Sequence, residues 1–448
     1  MRRIYLDHSA TTSLDPRVLK AMTPYFSDKF GNASSIHSFG QEARIAVDRA
    51  RKTVADFLNC KTNEIIFTSG GSESDNLAIR GLIEGAQSQT SNLKPQTYTL
   101  KTEELKNLIT EEQLSNETIK QRNNNYAALP HVVTSSFEHH AVLDTIEEME
   151  RGGVIEATYI KPDKEGIIRP KDVQKSIKNN TVLVSIMYVN NEIGTVQPIR
   201  EIGKILERIN RIRYPLGFAR GGQVSGIKQK KNLPKIFFHS DAVQAAEYFN
   251  MDVNYLHLDL LTLSAHKIYG PKGVGVLYIR EGTPLKHQIV GGGQEYKLRA
   301  GTENVAGIVG LAEAIKVTSK LKTQNSKIMK LRNKLIEGIE KSIPKSELNG
   351  SKICRSPNNI NITFDNAEGE SILLNLDAQG IAASSGSACT SGSLEPSHVL
   401  LSIGMPAEKA HGSIRFTLGR DTSQEEVDYL IKVLPDIIKK LRKMSPYK

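Results

Sequence analysis

The sequence predicts an α/β protein: a mainly parallel central sheet in a large unit, with a smaller α+β unit attached. Three observations carry this. Short β-branched runs alternate with amphipathic stretches of helix length, and such an order closes through right-handed crossovers into a parallel sheet covered on both faces. Polar residues gather where the runs end, which is where open α/β sheets place their ligands. After about residue 320 the alternation gives way to long helices flanking one strand-like run.

Taken in order, IYLD from Ile4 reads as a first strand, and EIIFTSG (64–70) as a strand feeding a helix that begins near Ser72. HVVTSSFEHH (131–140) precedes the amphipathic AVLDTIEEMER, and TVLVSIMYVNNEIG (181–194) precedes IREIGKILERI. KIFFHSD (235–241), LDLLTLSAHK (258–267) and VGVLYIR (274–280) complete the expected sheet. In the smaller unit, KIMKLRNKLIEGIEKSI and QEEVDYLIKVLPDIIKKLRKM are helices around the strand NNINITF (358–364). Two polar or basic stretches, 86–129 and 212–235, lack a periodic apolar face and read as surface insertions. The expected division is a large unit over 14–322 and a small unit made of 1–13 with 323–448.

The chain has 448 residues, 39% hydrophobic and 24% charged, an ordinary globular balance that excludes collagen-like, wholly disordered and disulfide-scaffold classes. Its three cysteines, Cys60, Cys354 and Cys389, are far apart and form no Cys-x-x-Cys, which argues against a zinc ribbon and for a reducing compartment. No metal site is expected. No apolar run approaches the roughly 18 residues of a bilayer span, and no secretory leader precedes Ile4. The expectation is a soluble intracellular protein with no membrane partner. Net charge is +10, but residues 200–235 alone hold ten Lys/Arg against Glu201 and Glu207. A charge excess confined to one Gly/Lys-rich loop with few aromatics reads as solvated chain rather than a nucleic-acid footprint.

The chemistry rests on residues at the strand ends. Lys267 closes an apolar strand, and Asp241 ends the strand before it, with Gln244 three residues on. An aldehyde cofactor of the pyridoxal 5'-phosphate type needs a lysine amine for its Schiff base and a carboxylate on its pyridinium nitrogen, and these two strands supply both. A solvated strand-end lysine is the plainer alternative. Gly71 and Ser72, between a strand and a helix, form an anion site on helix amides, although an ordinary N-cap turn would read the same. His139 could stack on a planar ring or be structural, and Asn191 could bind a ligand or merely turn the chain. Cys389, within SSGSACTSG, sits among small residues where a thiolate could be exposed and nucleophilic, whereas Cys60 in DFLNC reads as helix core. Arg415, in the apolar run SIRF, offers a planar fork for a carboxylate or else an internal ion pair.

Together these segments resemble the class I cysteine desulfurases of the NifS/IscS type. The resemblance is carried by YLDHSATT, FTSGGSESDNLAIRG, SSFEHHAVLDT, VSIMYVNNEIGTVQPI, HSDAVQ, LSAHKIYGPKGVG, RAGTEN, SSGSACTSGSLEPSHVL and SIRFTLGR, and it spans nearly the whole chain outside the two insertions. It implies the aspartate-aminotransferase-like fold (fold type I) and a homodimer with active sites at the interface. By the resemblance, Lys267 would hold pyridoxal phosphate, His139 would stack on its ring and relay protons, Asp241 would face the pyridine nitrogen, and Gln244 the phenolic oxygen. Gly71, Ser72, Ser264 and His266 would hold the phosphate, with Thr302 reaching across the dimer. Asn191 and Arg415 would hold the substrate carboxylate. Cys389 would attack the sulfur of L-cysteine, leaving L-alanine and a persulfide for iron–sulfur cluster assembly, with tRNA thiolation a further outlet.

The resemblance also implies an iron–sulfur scaffold protein of the IscU type as acceptor, although the family tail tied to scaffold docking is cut short here at Lys448. The insertions point towards a eukaryotic microbe and a mitochondrion-related organelle, with the cytoplasm as the alternative. Two further alternatives stay open at this stage: a related lyase acting on selenocysteine, and a partner-binding module that keeps the fold without catalysis.

Overall fold

The computed structural model describes residues 3–91, 129–213, 233–321, 325–385 and 395–444. Most of both expected insertions, and Cys389 itself, lie outside the described residues. The strands in chain order are β1 (Ile4–Tyr5), β2 (Ile65–Thr68), β3 (His131–Ser135), β4 (Glu156–Ile160), β5 (Thr181–Ser185) and β6 (Phe237–Asp241). They continue with β7 (Leu260–Ser264), β8 (Gly275–Ile279), β9 (Ser346–Leu348), β10 (Asn359–Phe364), β11 (Ile381–Ala382) and β12 (Ser413–Thr417).

Seven of them form one sheet in the order β2-β8-β7-β6-β5-β3-β4. The pairs β3–β4, β3–β5, β5–β6 and β6–β7 are parallel, while β8 runs antiparallel to both β7 and β2. The exception follows from chain length: only residues 265–274 separate β7 from β8, too few for the dozen or more that a parallel crossover needs. Side chains alternate strictly across the sheet. Ile65, Val133, Val184, Phe238 and Leu261 enter one apolar cluster, while their neighbours Ile66, Val132, Leu183, Phe237 and Leu260 enter another on the opposite face. Burial on both faces is why these runs read as continuously apolar. Each fully buried aliphatic side chain contributes on the order of 1.5–3 kcal/mol.

A third apolar cluster belongs to the C-terminal part of the chain. It gathers Ile328, Leu335 and Ile339 from the helix Asn325–Ser342, Leu430, Leu434 and Ile438 from the helix Gln424–Met444, and Ile360, Ile362, Ile414 and Phe416 from strands. The strands are the antiparallel sheet β12-β10-β9, joined by the parallel pair β1–β11. Through β1, Ile4 and Leu6 from the N-terminus are buried in this same cluster.

Several expectations are corrected in detail. The helix after β2 spans Gly71–Ser91, so the expected insertion at 86 begins inside a helix, and the helix Ile199–Arg213 likewise takes in 212 and 213. The run 181–194 is a strand only to Ser185. Beyond it the chain folds back, with Val189 bridging Val196, and Gly194 at φ +72° packs where a Cβ would meet Asn359 at 2.6 Å. β4 was not anticipated, because its residues are half-buried and edge-placed. Cys60 lies two residues past the helix Ser38–Leu58, beyond the left-handed cap Asn59 (φ +54°), rather than within the helix. Among the described residues, no helix is long and apolar enough to cross a membrane.

Candidate active site

The C-terminal ends of the parallel strands, with one arm from the smaller sheet, surround a cavity of about 380 Å³. Lys267, Asp241, Gln244, His139, Asn191, Gly71, Ser72, Ser264, His266 and Arg415 all line it. They come from six separate segments of the chain, and the fold is what makes them neighbours. β6 ends at Asp241, and its in-register partner β7 ends at Ser264 before a single helical turn, Ala265–Lys267, which turns His266 and Lys267 into the cavity. Lys267 Nζ donates to Ala10 O at 2.7 Å and to Ser9 O. Gln244 Nε2 donates to Ser9 O at 3.0 Å, so the N-terminal segment braces both side chains.

The turn between β2 and the helix Gly71–Ser91 is fastened by Thr68 Oγ1 to Ser74 Oγ at 2.7 Å and by Ser69 N donating to Glu73 Oε2 at 2.8 Å. Glu73 in turn takes Arg299 Nε at 2.9 Å. The first amides of that helix have no intrahelical partner and carry the positive end of its dipole, which suits an anion. At Gly71 a Cβ would meet Val243 Cγ2 at 3.2 Å, so a larger residue would fill the cradle. His139 caps the helix His140–Arg151, its Nδ1 accepting Ala141 N at 3.1 Å. That bond leaves the proton on Nε2. Burial, then the Lys267 ammonium, push its pKa down to about 4. His266 is likewise lowered to about 4, by burial and then by Lys267. Both rings are neutral at neutral pH.

Asp241 is buried in the cavity wall and its Oδ1 accepts Val243 N at 2.9 Å. Burial raises its carboxyl to about 6, against the pull of that N–H and of Lys267. Arg415 reaches in from β12. Its guanidinium donates to Asn191 O at 2.8 Å and to Asp7 Oδ1 at 2.9 Å, while among the described residues its Nε and the buried Asn191 Oδ1 have no hydrogen-bond partner. The unmet Nε is a buried donor that a ligand carboxylate would satisfy, and the unmet Oδ1 is an acceptor for a ligand N–H. The donor set as a whole therefore fits an anionic planar aldehyde with a ring nitrogen: an amine, a buried carboxylate, a neutral ring and an amide-lined cradle.

Two expected site residues are not placed in the cavity. Thr302 is described, exposed, and absent from the cavity walls of its own chain. Cys389 lies outside the described residues, but the chain on both sides of 386–394 is moored at the site. Ser384 exchanges backbone hydrogen bonds with Arg415, at 3.2 and 2.7 Å, and Ser397 Oγ donates to Glu192 Oε2 at 2.5 Å.

The sequence reading missed Ser9, Ala10, Asp75, His140, Met187, Glu192, Val243 and His398 as wall residues, and Asp7 as the partner of Arg415. For Asp75 a signal existed: it lies one turn after Gly71, on the same face as the buried Ala78 and Ile79. Burial raises Glu192 to about 7, with Arg415 opposing, which no local pattern foretold.

The family model for aminotransferase class-V matches residues 4–97, 110–213 and 223–430. It passes over 98–109 and 214–222, each inside one of the two expected insertions. A curated cysteine desulfurase IscS of Clostridium botulinum (strain Hall) is 43% identical over 448 residues, covering 99% of this chain and 96% of that protein. One from Methanosarcina thermophila is 44% identical over 446 residues, covering 99% and 94%. A solved structure described as SspA in complex with cysteine matches at TM-score 0.69 and 32% identity, covering 93% of this chain and 98% of that one. These organisms are a bacterium and an archaeon, so the expectation of a mitochondrion-related organelle draws no support from them.

Proposed function

This chain belongs to the aminotransferase class-V family, and from that membership we propose that it is a pyridoxal-phosphate-dependent cysteine desulfurase, converting L-cysteine to L-alanine and enzyme-bound sulfur. The observation that carries the reading is the single cavity in which Lys267, Asp241 and His139 face Asn191 and Arg415. Pyridoxal phosphate, when bound, supplies an electron sink that makes the substrate Cα acidic and loosens the Cβ–S bond.

The chain's own residues do the rest. With the cofactor bound, Gly71, Ser72, Ser264 and His266 would hold its phosphate and Lys267 would supply the amine for its aldehyde. Lys267 Nζ would also accept the substrate Cα proton and return it. Asp241, as carboxylate, keeps the proton on the ring nitrogen, and Gln244 steadies the phenolic oxygen. The neutral His139 ring covers one face. Arg415 and Asn191 hold the substrate carboxylate and fix which bond faces the thiol. Cys389 Sγ, as thiolate, then forms an S–S bond while the Cβ–S bond breaks; the electron pair stays with carbon, which takes a proton and leaves as alanine. The mooring of Ser384 and Ser397 at Arg415 and Glu192 supports Cys389 in that role.

The wider reading is a homodimer in which Thr302 contacts the phosphate of the other subunit. Exposure of Thr302 away from its own cavity favours this. Separate apolar clusters favour a division into 14–322 and 1–13 with 323–448, except that Val399, Leu400, Ile403 and Ala410 pack in the cluster of the larger unit. The persulfide then passes to an iron–sulfur scaffold protein, a reading that rests on the family resemblance. Release of sulfide and alanine in equal amounts from L-cysteine under reductant tests the function directly. Alanine without sulfide, or neither product from cofactor-loaded protein, would reject it.

A further inference from the structure

Behind Asp241 lies a second buried carboxyl that the mechanism above does not use. Asp75, on the helix Gly71–Ser91, is 1% exposed and lines the same cavity. Among the described residues its Oδ1 makes no hydrogen bond, and it lies 3.5 Å from His239 Nε2. Thr262 is the register partner of Asp241 across β6–β7, and its Oγ1 is 3.1 Å from His239 Nε2. His239 is fully enclosed between Thr262 and Ser185 Oγ, the latter at 2.8 Å from Nδ1, and burial lowers its pKa to about 3. The ring is therefore neutral and gives Asp75 no counter-charge.

Two carboxyls sharing one dry site cannot both ionise cheaply, and the one with the better donors takes the charge. The donors differ. Asp241 has the backbone N–H of Val243 and the pull of the Lys267 ammonium, whereas among the described residues Asp75 Oδ1 has no donor. The ionisable groups facing Asp75 from the elements packed on its helix are Asp241 and His239 from β6 and Glu138 from the loop after β3. Asp241 and Glu138 both push the Asp75 pKa upward, in addition to burial.

We propose that Asp75 is a positioning residue: the proton-bearing partner of Asp241, which by remaining a neutral acid leaves Asp241 to carry the single negative charge that faces the cofactor's ring nitrogen. The inference rests on the pyridoxal-phosphate reading for its purpose, but the protonation of Asp75 can be measured without the cofactor.

The sign of the effect is fixed by linkage. An acid whose folded pKa lies above its unfolded value binds its proton more tightly in the native state, so stability falls as pH rises from the unfolded pKa towards the folded one. An amide at this position carries no such dependence. The urea midpoint of Asp75→Asn minus that of the cofactor-free wild type should therefore rise from about pH 5 to about pH 8, whatever its sign at the start. A difference that stays constant, or that falls as pH rises, would mean that Asp75 is ionised in the folded protein and would overturn the proposal. Asp75→Ser serves as a second neutral variant if the amide does not pack.

In the cofactor-loaded protein at neutral pH, the infrared difference spectrum of wild type minus Asp75→Asn should contain the carbonyl stretch of one protonated carboxylic acid, and that of wild type minus Asp241→Asn should not; the buried Glu138 and Glu192, raised to about 8 and about 7, contribute to both variants alike. The reverse pattern would assign the proton to Asp241 and refute the division of roles. Failure of the wild type to bind pyridoxal phosphate would instead refute the cofactor reading, and the urea series would still decide the state of Asp75.

Discussion

Lys267 shows most plainly how single residues carry the site. Its amine is braced by the carbonyls of Ser9 and Ala10, 257 or more residues away in sequence, so that it faces Asp241 and His139. Among the described residues no other lysine lines the cavity, so Lys267→Ala is expected to abolish both turnover and the absorbance of bound cofactor at about 400 nm. Turnover at the wild-type rate would sink the cofactor assignment. The two described cysteines contrast with this. Burial, with Glu64 adding, pushes the Cys60 thiol up to about 12, while Cys354 is exposed. At pH 8 only about one Cys60 in ten thousand would be thiolate. Alkylation should therefore modify Cys354 quickly and Cys60 far more slowly, and Cys60→Ser and Cys354→Ser should each keep turnover within about twofold. Fast labelling of Cys60, or loss of turnover in either variant, would contradict the geometry.

At the scale of elements, the sequence disclosed what periodicity and strand-end chemistry can disclose. Lys267, Asp241, His139 and Arg415 were recognisable because each is a polar residue terminating or interrupting an apolar run. Glu192 was not, because a buried acid in a loop leaves the same local pattern as an exposed one, whereas Asp75 was legible only through its helical spacing from Gly71, Ala78 and Ile79. The antiparallel placement of β8 could have been read from its short connection to β7, whereas β4, a half-buried edge strand, lacked a hydrophobic signature. The helix Gly71–Ser91 runs past the expected insertion boundary because its apolar face, with Leu77, Leu82 and Ile83 fully buried, carries the helix on beyond the site. The segment 98–109 has no place in the family model. Its deletion is expected to leave cofactor binding and cysteine turnover largely intact. Loss of soluble, cofactor-binding protein on that deletion would show that the segment contributes to the fold.

For the whole molecule, the chain's two ends meet. Leu6, fully buried, packs with residues from 328 to 438, and Asp7 beside it holds Arg415. The N-terminal segment thus ties the smaller sheet to the cavity through Ser9, Ala10 and Asp7. Leu6→Ala should cost about 2–5 kcal/mol of unfolding free energy, visible as a lower urea midpoint. A change under about 0.5 kcal/mol would show that the segment is not integral to that core. If the two parts cooperate in moving sulfur from L-cysteine to Cys389, the sulfur can be trapped there and weighed. Wild-type protein would be exposed briefly to L-cysteine, alkylated, digested and analysed by mass peptide by peptide, alongside Cys389→Ser. One additional sulfur is expected on the peptide containing Cys389 in the wild type, and no alanine release from the variant. An additional sulfur on Cys60 or Cys354 instead, or alanine from Cys389→Ser at the wild-type rate, would contradict it.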